Sequence, residues 1–231
     1  MSDEIERFLA HARGSAQAAK VLPLDELRAR RGATADAAAW GLAALRGRLV
    51  ELSARGATAT LTTAIEIVGE AQTQSEPVAW ITLGNGTFYP PDVADSGVDL
   101  AALVVVRAPD STAAARAAER CLRSGAFGLV IMDLTGREPG RPGSACDLSM
   151  QIQGRLVTLA QTHDAAIVCL TEKTGETASI GSLVSLRAEA LRSADRSVRP
   201  DFAINVRVLK DKRRGPGHTQ TLKRRGPAGL T

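Results

Sequence analysis

Between residues 48 and 209, short and continuous apolar runs alternate with longer stretches that have helical periodicity. Strands that are apolar on both faces are typical of a parallel sheet covered by helices on both sides. The sequence therefore predicts an α/β fold with a mostly parallel central sheet flanked by helices. The predicted strands are 48–52, 78–83, 103–106, 129–132, 166–170, 183–191 and 202–209, and the predicted helices are 62–72, 111–123 and 148–162.

The length of 231 residues fits one domain with short extensions. Residues 1–38 are predicted to form an N-terminal helical arm, which is too small to own a core. Residues 39–209 form the predicted core, and residues 210–231 form a basic tail in which we expect order to fade. No apolar run has the length of a membrane span, and the acidic start differs from a signal peptide, so we expect a cytoplasmic protein.

Positive charge is concentrated at the C-terminal end of the chain. The net charge is +4, but residues 207–231 carry +7 and the remaining residues carry −3. Such a segment binds phosphates or an acidic protein face, or serves only to keep the chain soluble. The candidate partner- or DNA-binding residues are Lys210, Lys212, Arg213, Arg214, Lys223, Arg224 and Arg225.

The cysteines and histidines do not form a pattern that binds metal. Cys121, Cys146 and Cys169 are odd in number and far apart, which argues against a disulfide framework and a CxxC metal site. No two of the three histidines share a spacing that would place them on one face. We therefore expect no metal site, and we interpret each cysteine as a small hydrophobic residue.

From the run GRLVEL at residues 47–52, the chain resembles the core of RecA recombinases, where this strand leads into a nucleotide-binding loop. The likeness continues through GVDL at 97–100, RSGA at 123–126, the strand that ends at Asp133, and VRVLKDK at 206–212. It spans residues 40–212 and implies a RecA-like core. In RecA-type proteins an extended segment of one subunit adds to the sheet of its neighbour, and residues 18–24 are the apolar extended stretch available either for this role or for packing on the chain's own core.

The resemblance also places a degenerate phosphate-binding loop after the first strand. A working loop follows the pattern GxxxxGK[ST], because glycines let N–H groups surround phosphates, lysine neutralises them and the hydroxyl binds magnesium. Alanines replace both glycines here, Thr60 replaces the lysine and Leu61 replaces the hydroxyl. We therefore predict no nucleotide cofactor and no enzymatic activity. The aligned residues are Ala54, Arg55, Gly56, Ala57, Thr58, Ala59, Thr60 and Leu61.

Other parts of the RecA site are also altered. After the second strand no acid occurs until Asp92, where RecA has a catalytic glutamate. Asp133 keeps the place of the magnesium-positioning aspartate, but we expect it to turn the chain after its strand. The loop at 172–181 carries Glu172 and Glu176 against Lys173 alone, and a net-acidic loop is a poor phosphate binder. DNA binding by the core is therefore expected to be weak or absent.

A narrower resemblance is carried by FYPPDV at 88–93, GVDLAALVVV at 97–106, RSGA at 123–126 and KRRG at 212–215. These runs resemble the ImuA family, RecA-like proteins with decayed ATP sites that occur in bacterial mutagenesis cassettes. The family implies a non-catalytic accessory role in translesion DNA synthesis during the SOS response to DNA damage. Its implied partners are ImuB, which is a Y-family polymerase relative, and RecA, with an error-prone DnaE-type polymerase reached indirectly. Such a protein would be associated with the nucleoid during repair.

Three alternatives stay open at this point. The first is a RecA paralogue that binds DNA through its basic tail. The second is an active ATP-dependent recombinase with an unconventional nucleotide loop. The third is a damage-response inhibitor of cell division that resembles SulA.

Overall fold

The structure is a computed structural model that describes residues 40–84, 86, 88–135, 148–193 and 201–225. Within these ranges the side chains of Asp201, Arg224 and Arg225 are not described. The predicted N-terminal arm, most of the loop that follows Asp133, and residues 226–231 of the predicted tail lie outside the described residues.

The described elements alternate between helix and strand up to residue 171, and three strands follow. Asp110 caps one helix by accepting from the Ala113 N–H, and Gly125 ends that helix with a φ of 68°. In chain order the elements are α1 (Leu42–Leu45), β1 (Arg48–Ser53), α2 (Thr60–Thr73), β2 (Val78–Leu83), α3 (Pro90–Asp95), a 3₁₀ turn (Leu100–Ala102), β3 (Leu103–Ala108), α4 (Ser111–Ser124), β4 (Leu129–Asp133), α5 (Met150–Thr162), β5 (Ala166–Thr171), β6 (Leu186–Arg192), β7 (Asp201–Asp211) and β8 (Thr219–Arg225).

The strands form one eight-stranded sheet in the order β3-β2-β4-β5-β1-β6-β7-β8. The pairs from β3 to β6 are all parallel. The last two pairs, β6 with β7 and β7 with β8, are antiparallel. The predicted α/β class with a mostly parallel sheet is therefore confirmed.

Helices cover both faces of the parallel part of this sheet. On one face, Ile67 and Val68 of α2 pack in the same cluster as the fully buried Trp80 of β2. On the other face, Leu122 of α4 and Leu156 of α5 pack in a second cluster. Because side chains alternate along a strand, each central strand contributes to both clusters and must be apolar on both faces.

The C-terminal segment differs from the flexible tail that the sequence predicts from residue 210. β7 extends to Asp211, and residues 219–225 form β8 at the edge of the sheet. Ile204 and Val206 of β7 belong to the core cluster, and Leu222 of β8 packs against it. One apolar face and the hydrogen bonds of the hairpin thus keep this basic segment in the sheet.

In the part of the chain that the structure describes, no helix has both the length and the apolar character needed to span a membrane.

Candidate functional site

The loop at residues 54–59 joins β1 to α2, which is the position of a phosphate-binding loop in the RecA resemblance. Its backbone is paired with the protein's own sheet. The Ala59 N–H donates to the Ala190 oxygen at 3.0 Å, and the Ala57 oxygen accepts from the Arg192 N–H at 2.9 Å. The Ala54 N–H donates to the Thr171 oxygen at 3.3 Å. The loop is thereby tied to the ends of β5 and β6.

The N–H groups that lead into α2, up to that of Thr60, are also bonded within the chain. The Thr60 N–H donates to Thr58 Oγ1 at 3.3 Å, and the Thr58 N–H donates to the Gly56 oxygen at 2.8 Å. Thr60 is buried, and Leu61 packs against the core cluster. Phosphate binding at a helix N-terminus requires N–H groups that are free to point at the anion. The N–H groups of Thr58, Ala59 and Thr60 are instead occupied by oxygens of the chain.

Asp133, at the carboxyl end of β4, is fully buried and hydrogen-bonded. Its Oδ1 accepts from the Thr135 N–H at 3.1 Å and from Thr135 Oγ1 at 2.6 Å. Its Oδ2 accepts from Thr82 Oγ1 at 3.4 Å. These contacts turn the chain after β4, as the sequence analysis expects.

A cluster of buried charges lies next to the loop at residues 54–59, on the face of the sheet that carries α4 and α5. The Glu51 side chain has no exposed surface and is 2.9 Å from Lys173 Nζ and 3.7 Å from Arg187 Nε. Glu51 also accepts from Thr171 Oγ1 at 2.9 Å and from the Ile180 N–H at 3.0 Å. Both carboxylate oxygens therefore have partners, which stabilises the buried charge.

The cluster fixes the loop between β5 and β6 to the sheet. Arg187 donates to the Thr174 oxygen at 2.8 Å and to the Thr177 oxygen. In the next register position of β6, Glu189 accepts from the Gly175 N–H at 3.1 Å and pairs with Arg207 of β7 at 2.9 Å. We call Glu51, Arg187 and Glu189 with these contacts the polar clamp. Its charged groups are engaged in holding the loop between β5 and β6 against the sheet.

Sequence analysis did not identify Glu51, Arg187 or Glu189. The sequence does contain a signal for them, which is a charged residue in the middle of an otherwise apolar strand. Such a residue is rarely buried without partners, so it indicates a buried ion pair. That signal marks Glu51 in RLVELS, and Arg187 and Glu189 in LRAEALR.

The candidate basic residues fall into two separate groups. At the end of β7, Lys212 Nζ donates to the Ser182 oxygen at 2.8 Å, and Arg213 donates to the Arg46 oxygen at 3.4 Å. Lys223 of β8 lies opposite Ala203 of β7. Ala203 and Lys210 are about 23 Å apart along β7, at about 3.3 Å per residue. Arg214 is exposed next to Arg213, while Arg224 and Arg225 end β8 near Lys223. The candidates therefore do not form one continuous patch.

Lys210 of β7 is the register partner of Arg187 in β6, and Arg187 is the register partner of Glu51 in β1. Lys210 therefore lies on the same face of the sheet as the charge cluster. Burial is the main cause that lowers the pKa of Lys210, and the charges of Lys212 and Arg187 lower it further, while Glu51 opposes them. A lysine in this position is less available for a phosphate than one on an open surface.

The edge strand β3 exposes apolar side chains that the sequence analysis expects to be covered. Val104 is 47% exposed and Val105 is 39% exposed, and the preceding Leu100 is 40% exposed. Within the described residues β3 pairs only with β2, so its outer edge retains unpaired backbone groups. A strand with an open edge and exposed apolar residues is a place where another chain can pair.

Two of the cysteines, Cys121 and Cys169, lie in the described residues, and neither forms a disulfide there. Cys169 is fully buried in β5, which fits its interpretation as a small hydrophobic residue. Burial raises the pKa of the half-buried Cys121 thiol, and the hydrogen bond that the sulfur accepts from the backbone of the same residue offsets only part of this rise. Cys146 lies outside the described residues. Across the described ranges, no three His, Cys, Asp or Glu side chains come close enough to hold a metal ion.

No protein-family model and no curated protein matches this sequence.

Proposed function

We propose that this protein is a non-catalytic, RecA-like accessory protein of bacterial translesion DNA synthesis. It acts by binding an ImuB-type relative of the Y-family polymerases and RecA, and it modulates RecA activity in the DNA damage response. The observation that carries this proposal is the loop at 54–59, whose Ala59 N–H is hydrogen-bonded to the Ala190 oxygen of β6.

This hydrogen bond matters because nucleotide triphosphates are held by free backbone N–H groups together with a lysine and a magnesium ion. Here Thr60 and Leu61 stand where the lysine and the magnesium-binding hydroxyl are needed. Removing these groups takes several kcal/mol of charge stabilisation from a bound triphosphate. A protein with this loop acts by binding partner proteins through its surface and not by binding a nucleotide.

The open edge of β3 supports a role in binding partners. Its exposed Val104 and Val105 give an incoming strand apolar contacts, and the free edge gives it backbone hydrogen bonds. We assign RecA binding to this edge. Residues 18–24, which the sequence predicts to be extended, are the segment by which this chain would in turn add to the sheet of a RecA subunit.

The first experiment is isothermal titration of the purified protein with ATP and magnesium, run beside RecA from the same source. We expect a binding isotherm for RecA and no saturable heat for this protein. Saturable heat would overturn the loop argument and favour the active recombinase.

The second experiment measures capture of purified RecA and purified ImuB by the immobilised protein. We expect capture of both, and loss of RecA capture in Val104→Lys, because a charge on the β3 edge disfavours strand addition. Thr112→Lys is the matched control, since Thr112 is exposed at the start of α4. No capture of RecA or ImuB by the unchanged protein would sink the proposed function, and equal capture by both variants would exclude the β3 edge.

The DNA-binding alternative is tested in the same assay with a single-stranded oligonucleotide as competitor. The proposed function predicts that the oligonucleotide does not displace ImuB at physiological salt. Displacement that disappears in a Lys223→Ala/Arg224→Ala/Arg225→Ala variant would favour the DNA-binding paralogue.

A further inference from the structure

An arginine-rich surface covers the outside of α4 and α5. Arg116, Arg120 and Arg123 occupy positions i, i+4 and i+7 of α4, so they lie along one side of that helix. Arg155 of α5 lies beside them. We call these four arginines the α4–α5 arginine surface.

Among the described residues, one carboxylate forms ion pairs with these arginines. Glu119 is 2.5 Å from Arg123 Nη2 and 3.5 Å from Arg155 Nε, so it joins the two helices. Arg116 and Arg120 are exposed and have no ion pair within the described residues. The four arginines together with Glu119 therefore carry a charge of +3, and two of the arginines are available to an anionic partner.

A shallow cleft of about 600 Å³ lies next to these charges, between the two helices. Gly154 has no side chain to fill it, and the half-buried Leu159 supplies an apolar contact at its base. The cleft thus combines an apolar base with a basic rim. Its lining residues are Arg123, Gln151, Gly154, Arg155, Thr158 and Leu159.

This combination favours a protein partner over a nucleic acid. A phosphate backbone would use the arginines but leave the apolar base uncovered, and no aromatic side chain lines the cleft for a base to stack on. An amphipathic helix uses both features, because its apolar side fills a groove while carboxylates spaced one turn apart meet arginines of the same spacing. Arginine also pairs with carboxylates in a bidentate geometry.

We propose that the α4–α5 arginine surface is the docking site for an acidic amphipathic helix of a partner protein. The inference rests on the proposed function in so far as an adaptor needs partner surfaces. It adds the chemistry of one partner, and it does not require that partner to be RecA or ImuB.

The test uses fluorescence anisotropy with a labelled synthetic peptide of about four helical turns, which is close to the length of α4. The peptide carries glutamates at i, i+4 and i+7 and leucines on the adjacent side. We expect saturable binding that weakens with added salt. Arg120→Glu should weaken it about tenfold or more, the effect of losing one arginine anchor.

Two further variants make the result specific to this surface. Arg55→Glu makes the same charge change at an exposed arginine in the loop after β1, and it should alter the affinity by less than about twofold. Glu119→Gln removes the carboxylate that competes with the peptide, so it should strengthen binding. Circular dichroism and thermal melting identify any variant that fails to fold, in which case the Glu119→Gln result decides.

Equal binding by Arg120→Glu and Arg55→Glu would overturn the inference, as would equal binding of a peptide with lysines in place of the glutamates. Competition by a single-stranded oligonucleotide that is lost in Arg120→Glu would also overturn it, in favour of nucleic acid. The RecA and ImuB capture assay separates the two proposals. Capture that persists without peptide binding removes only the docking site, whereas peptide binding without capture removes only the proposed function.

Discussion

The guanidinium of Arg48 and the carboxylate of Asp211 form a buried ion pair, with 2.6 Å between Arg48 Nη2 and Asp211 Oδ1. The two side chains are 2% and 4% exposed. Arg48 begins β1 and Asp211 ends β7, and Arg48 also donates to the Ser185 oxygen at 2.7 Å. The pair therefore fastens the C-terminal hairpin to the first strand of the sheet.

Removing one partner of this pair should destabilise the protein strongly. Arg48→Met leaves the Asp211 carboxylate buried and without its cation, which costs about 3–5 kcal/mol. Urea unfolding measures the loss. The double variant Arg48→Met/Asp211→Leu should regain most of it, because neither charge is then buried alone. Arg46→Met is the control and should lose about 1 kcal/mol or less, since its pair with Glu76 is partly exposed.

The same pair should contribute to stability in acid. Burial tends to raise the pKa of Asp211, but hydrogen bonds from Arg48 and from the Arg213 and Arg214 N–H groups outweigh it and lower the pKa. A lowered folded-state pKa stabilises the fold above the unfolded value of about 3.9. That stability is lost as the pH falls through the folded-state pKa.

Unfolding followed by circular dichroism from neutral to acid pH, at a fixed urea concentration, measures this contribution. The free energy of unfolding should fall less between neutral and acid pH in Asp211→Asn than in the unchanged protein. Parallel curves for the two proteins would contradict the assignment.

Neutralising Glu51 should loosen the loop between β5 and β6. In Glu51→Gln, Lys173 and Arg187 lose their buried anion, and we expect destabilisation of about 3–5 kcal/mol. Hydrogen exchange should become faster at the amides of residues 173–181. Glu176→Gln removes an exposed charge from the same loop and serves as the control. A loop that exchanges equally fast in both variants would show that the clamp does not hold it.

Two glycine substitutions should act in opposite directions. A Cβ at Gly181 would collide with the carboxamide of Gln153, which is buried and bonded to the Leu148 oxygen at 2.5 Å and the Leu183 N–H at 3.0 Å. Gly181→Ala should therefore cost about 1–3 kcal/mol. Gly69 lies in α2, and a Cβ added there would meet no atom within 4 Å. Gly69→Ala should raise the free energy of unfolding by about 0.5–1 kcal/mol, because alanine has the better helix propensity.

Introducing the consensus residues of a phosphate-binding loop after β1 should not produce nucleotide binding. In the variant Ala59→Gly/Thr60→Lys/Leu61→Thr, the N–H of residue 59 still has the Ala190 oxygen as its acceptor. Titration with ATP and magnesium should give no saturable heat. Saturable heat would mean that the missing side chains alone, and not the hydrogen-bonded loop, prevent binding.

The sequence patterns located most of the strands and helices of the described core. The predicted strand at 78–83 is observed as Val78–Leu83, and the predicted helix at 111–123 is observed as Ser111–Ser124. These elements depend on local patterns, namely apolar runs for buried strands and helical periodicity with caps for helices. The RecA and ImuA resemblances stay predictions.

Local patterns could not predict the role of the C-terminal segment. The polar and basic residues 219–225 form a strand only because β7 offers a free edge and Leu222 finds an apolar face to pack on. Strand pairing of this kind depends on what lies next to the segment in space.

The amino-acid sequence was sufficient for the α/β class, for the strands and the three longer helices through residue 171, and for the departure of residues 54–61 from the GxxxxGK[ST] pattern, because each follows from short stretches of chain. Only the tertiary structure could bring Arg48 to Asp211 and Glu51 to Arg187, since these pairs join residues that are far apart along the chain. It also decided that Val104 and Val105 are exposed, because the position of a strand at the centre or the edge of a sheet depends on the other strands.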